Sequence, residues 1–119
     1  MTKITIADAT YDLFAEQRSG RWIAYAVSVS TGERFGIECS GESDREAIER
    51  LARWLTWQRE HADALAALQH AEQAYHRVLA GSAFAGPDEP SAVELQKESL
   101  DQVEAARVRL DEVRARRPN

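Results

Sequence analysis

A chain of 119 residues has room for one ordinary domain, or for one small domain with an appendage. Apolar residues make up 44% and charged residues 29%, enough to build a core, which excludes a disordered chain. The formal net charge of −5 argues against a general nucleic-acid binder, because duplex binding draws on clustered Lys and Arg.

The charge is also evenly spread. No third of the chain is basic, and only the last fifteen residues lean positive, through Arg107, Arg109, Arg114, Arg116 and Arg117. Such cations suit the C-terminal turns of a helix without any ligand. Cys39 is the single cysteine, so no disulfide can form within the chain. The N-terminus lacks the apolar run of a signal peptide, and no uncharged stretch approaches 18 residues. A cytoplasmic protein with no membrane span is the expectation.

The first third reads as strands. Ile4 and Ile6 alternate with Lys3 and Thr5, and Tyr11, Leu13 and Ala15 continue the two-residue period. Gln17-Arg18-Ser19-Gly20 is a turn, and residues 21–29 form the most regular strand, with Ile23, Tyr25, Val27 and Val29 on one face. Trp22, Ala24 and Ala26 occupy the opposite face, so neither side of this strand is expected to be fully solvated. Ser30-Thr31-Gly32-Glu33 leads into a last strand whose apolar face is Phe35, Ile37 and Cys39. Short loops throughout predict an antiparallel meander of three to four strands.

Helical spacing then takes over. Ser43 and Glu46 make a capping box, and Ala47, Ile48, Leu51, Trp54 and Leu55 form one stripe suited to covering a sheet face. Leu65, Leu68, Ala71, Tyr75, Val78 and Leu79 extend it, predicting a helix over about 44–80. Such a helix would span roughly 55 Å, far beyond the ~20 Å of a typical strand. Breakers fill residues 81–91, and Ser91 with Glu94 makes a second capping box. A second helix over about 92–116 carries Val93, Leu100, Val103, Ala106, Leu110 and Val113 at near-heptad spacing, interrupted by Gln96 and Arg107. The fold class is therefore α+β, a sheet plus the first half of a long helix over 1–57 and an antiparallel helical hairpin over 58–119.

Two helices alone have little core, and many of these stripe residues are alanines. A second copy of the chain would supply the missing helices, so a homodimer is expected, or a partner protein in its place. The interface residues would be Leu65, Leu68, Tyr75, Leu79, Leu100, Val103 and Leu110, with Trp22 on the sheet as a further contact.

Chemistry-bearing motifs do not assemble. His61, His70 and His76 contain no pair at helical i, i+3 or i, i+4 spacing, and Glu72 with His76 supplies only two ligands, so no metal or cofactor is expected. Cys39 shares its register with Phe35 and Ile37 and reads as a core residue. No nucleophile elbow, phosphate loop or dinucleotide fingerprint is present. The expected function is that of a non-catalytic interaction or self-assembly module. A small ligand-binding domain, with a pocket between sheet and helix near Trp22, Tyr25 and Trp54, is the alternative of another class.

Gly20-Arg21-Trp22 at a strand start, with Gly41, Ser43, Glu46 and Ala47 at a turn and helix start, resembles the HicB antitoxin family over residues 10–55. The resemblance implies a sheet-plus-helix domain that binds a partner protein or dimerises. An antitoxin-like regulator, binding a partner protein through the sheet and nucleic acid through accessory basic residues, is a further alternative function, with nucleic acid the less expected of the two partners. The long hairpin is not that family's usual ending.

Overall fold

A computed structural model describes residues 2–84 and 90–118, with side chains described outside 82–91. Four strands, β1 (Thr2–Ile6), β2 (Ala9–Arg18), β3 (Arg21–Ser28) and β4 (Arg34–Gly41), precede helices α1 (Asp44–Phe84) and α2 (Pro90–Ala115). The strands form one antiparallel sheet in sequence order, as the short loops require. Arg18 pairs with Arg21, leaving the two-residue loop Ser19-Gly20, and both loop residues have positive φ. That geometry follows the right-handed twist of the flanking strands, and Gly20 adopts it without steric cost.

The chain divides into two compact units, Met1–Arg59 with Arg117–Asn119, and Glu60–Arg116. In the first, the register aligns Leu13 with Ala26, and Ala24 with Cys39, on one sheet face. Ala47, Leu51 and Leu55 of α1 pack there, completing a buried cluster in which Leu13 and Leu51 are wholly enclosed. Each of these leucines contributes roughly 1.5–3 kcal/mol through burial. The face under the helix is thus the one bearing the small residues of β3. Ile23, Tyr25 and Val27 lie half-buried on the other.

Small residues are needed because the helix comes close. A Cβ on Gly41 would lie 2.7 Å from the backbone nitrogen of Ala47. The start of α1 explains this approach: Ser43 Oγ accepts a bond from the Glu46 N–H at 3.1 Å, and Ser43 O accepts from the Ala47 N–H. Ser43 therefore caps the helix and ties its first turn against the end of β4.

In the second unit, α1 runs four residues beyond the expected 80, and α2 opens at Pro90. A proline fits the first helical turn because the N–H it lacks would have had no partner there. Ser91 lies within α2, and its side chain, on which the expected capping box with Glu94 rests, lies outside the described side chains. Of the expected loop, residues 85–89 lie outside the described residues. The helices run antiparallel, for Arg116 meets Glu60 at 4.0 Å and Arg114 Nε approaches His61 Nε2 at 3.4 Å. Along residues 92–116 the shielded positions are Ala92, Gln96, Ser99, Val103, Ala106, Leu110 and Val113, in alternating steps of four and three. The stripe read from the sequence is corrected at its distal end. Val93 and Leu100 stand outside the shielded row, while Gln96 and Ser99 lie in it. The phase is set by Val103, Leu110 and Val113, all at or below 5% exposure, and a regular helix carries the polar residues upstream into line.

Candidate functional site

Three places combine apolar area with polar groups. The first is an open hollow of about 340 Å³ beside β4, lined by Ile37, Glu38, Cys39, Ser40, Arg50 and Trp54. Arg50 is positioned one helical turn before Trp54, and its Nη1 donates to Ser40 O at 2.9 Å. Its Nε is buried and meets no acceptor among the described residues. Burial pushes the Cys39 thiol up from its ordinary value, against a smaller opposing pull from the Arg50 charge. At neutral pH the thiol is therefore protonated, the reverse of what a nucleophile needs. The Arg117 guanidinium lies 5.2 Å from the Trp54 ring centroid, and Trp57 meets Trp54 edge-on.

The second place is the sheet face away from the helix. Phe14 stacks on Tyr25 with centroids 5.5 Å apart, and the Arg34 guanidinium lies 4.1 Å over the Tyr25 ring. Charged side chains rim this pair. Arg18 bridges Glu16 and Glu38, the latter at 3.0 Å, and Arg34 also engages Glu38. The hydrogen bond from Arg18 holds the Glu38 carboxyl below its usual range, while the carboxylates raise Arg18. These groups are exposed, so the network orients side chains more than it stabilises the fold.

The third place is the hairpin surface. Seven large hydrophobic residues are exposed among the described residues, and five of them, Leu79, Val93, Leu95, Leu100 and Val108, belong to the unit Glu60–Arg116. On α1 the shielded row is His61, Ala64, Leu68, Ala71, Tyr75 and Val78, again in steps of three and four. The antiparallel register set by Glu60–Arg116 and His61–Arg114 brings Ala64 about level with Leu110, Leu68 with Ala106, Ala71 with Val103 and Tyr75 with Ser99. Each level then matches a larger side chain with a smaller one, as close helix packing requires.

The residues expected at an interface divide accordingly. Val103 and Leu110 are buried within the hairpin, and Leu68 and Tyr75 lie in the shielded row. Leu65 is half-buried beside that row, while Leu79 and Leu100 are about 40% exposed. Trp22 is half-buried against the core cluster, on the face that α1 covers. Val93, Leu95 and Val108 were absent from the expected interface. For Val93 and Leu95 the signal was large apolar side chains beside a 3.5-residue row; Val108 lies on the outer surface, opposite that row.

No group of three or more His, Cys, Asp or Glu residues among those described is placed to hold a metal ion. No described helix is long and apolar enough to cross a membrane. No protein-family model matches the chain, and neither a curated protein nor a solved structure matches it.

Proposed function

We infer that this chain is a non-catalytic self-assembly module that forms a homodimer through its helical hairpin. One observation carries the reading: of the five exposed large hydrophobic residues of the hairpin, four, Leu79, Val93, Leu95 and Leu100, flank a seam partly built from alanine, serine and glutamine. Alternating three- and four-residue steps are the signature of coiled-coil packing, in which a 3.5-residue row keeps facing its partner. Two such helices shield only one row each, and additional apolar side chains beside the row favour association with further helices.

Light scattering coupled to size-exclusion chromatography tests the reading. At micromolar concentration the mass is expected near twice 13.3 kDa. A mass of one chain, unchanged as concentration rises, would reject it.

A further inference from the structure

The hairpin has two edges, and they differ in composition. Each four-residue step of a shielded row spans three residues, of which the first points to one edge of the hairpin and the third to the other. In an antiparallel pair the first-residue sites of both helices share an edge. On α1 these sites are Leu65, Glu72 and Leu79; on α2 they are Val93, Leu100 and Arg107. The third-residue sites are Ala67, Ala74 and Gly81 on α1, with Leu95, Gln102 and Arg109 on α2. One edge therefore carries four large apolar side chains, and the other carries one.

Resting on the self-assembly reading above, we propose that the edge formed by Leu65, Leu79, Val93 and Leu100 is the dimer contact, and that the same edge of a second copy covers it to close a four-helix bundle. Charge favours a second copy over a partner of one sign, because the strip holds a single acid, Glu72, and a single base, Arg107. Like strips of this kind meet without net repulsion. The strip covers about 15 residues of each helix, Leu65 to Leu79 and Val93 to Arg107, so it is ~22 Å long and, across two helices, ~20 Å wide. The product, about 440 Å² per partner, lies in the range of functional apolar patches and at the low end of interface sizes, which suits a dimer of modest affinity. Gln96 and Ser99 in the seam also leave the distal hairpin poor in core of its own, which a facing pair of helices would supplement.

Single aspartate substitutions at three exposed positions separate the two edges and the outer surface. Leu100→Asp is expected to convert the full-length protein to monomer at 10 μM, weakening association at least tenfold, with helical circular dichroism retained. Leu95→Asp on the other edge and Val108→Asp on the outer surface are expected to leave the dimer intact. Leu100→Gln, milder toward the fold, is expected to weaken the dimer in the same direction should Leu100→Asp lose helicity. A wild-type dimer that survives both Leu100 variants, or that dissociates with Leu95→Asp or Val108→Asp alone, overturns the assigned edge while leaving self-assembly standing. A monomeric wild type removes both.

Discussion

The two units of this chain solve the burial problem in opposite ways. The sheet unit places Leu13, Ala24, Ala26, Cys39, Ala47, Leu51 and Leu55 in one cluster shared by sheet and helix. Its exposed large hydrophobic residues, Val29 and Phe35, lie at the turn after β3 and the start of β4. The hairpin unit buries Ala64, Val103, Leu110 and Val113, and leaves a larger group of hydrophobic side chains in contact with solvent. A sheet with one helix across it closes a core within a single chain. Two helices bury one row each against the other, and apolar positions beside those rows stay in contact with solvent.

This contrast is sharpest for substitutions in the enclosed core. Leu51→Ala is expected to cost about 2–5 kcal/mol in urea unfolding, since the site is surrounded and collapses poorly. The loss should be the same at every protein concentration if the sheet unit carries its own stability. Next in size is Gly41→Ala. The added methyl meets the backbone of Ala47 and Glu46, which cannot rotate away, so a loss of about 1–3 kcal/mol is expected. A neutral result would show that the close approach between β4 and α1 is readily relaxed.

The smallest effect concerns Cys39. With its folded-state value raised, the thiol binds its proton more tightly in the folded chain than in the unfolded one. The stability it contributes is present below the ordinary thiol range, and is lost as pH rises through the folded-state value. Alkylation at pH 8 should be slow in the native protein and fast in urea; equal rates would place the thiol outside the core.

Much of the sheet unit was legible in the residues. Alternation of Ile4 with Ile6, and of Tyr11 with Leu13, marks strands, Ser19-Gly20 marks a tight turn, and Ser43 marks a helix start. Which face of β3 the helix covers was not legible, since Ile23, Tyr25 and Val27 look at least as suited to a core as Ala24 and Ala26. The close approach at Gly41 decides it, and that depends on tertiary geometry which no local pattern contains. In the hairpin the period was readable and the phase was not. Val93 and Leu100 fit a heptad as well as Gln96 and Ser99 by spacing. Only the position of Val103, Leu110 and Val113 against α1 fixes which set turns inward. Exposed hydrophobic residues are similarly invisible to a reading that treats every apolar helical position as buried.

Thermal unfolding followed by circular dichroism across a hundredfold range of protein concentration tests most directly whether the hairpin depends on a second copy. Mass action links a dimer's stability to concentration by about 1.4 kcal/mol per tenfold change, so the midpoint should climb steadily with concentration. A midpoint that stays fixed over the whole range would mean that a lone chain holds its hairpin together, contrary to this account.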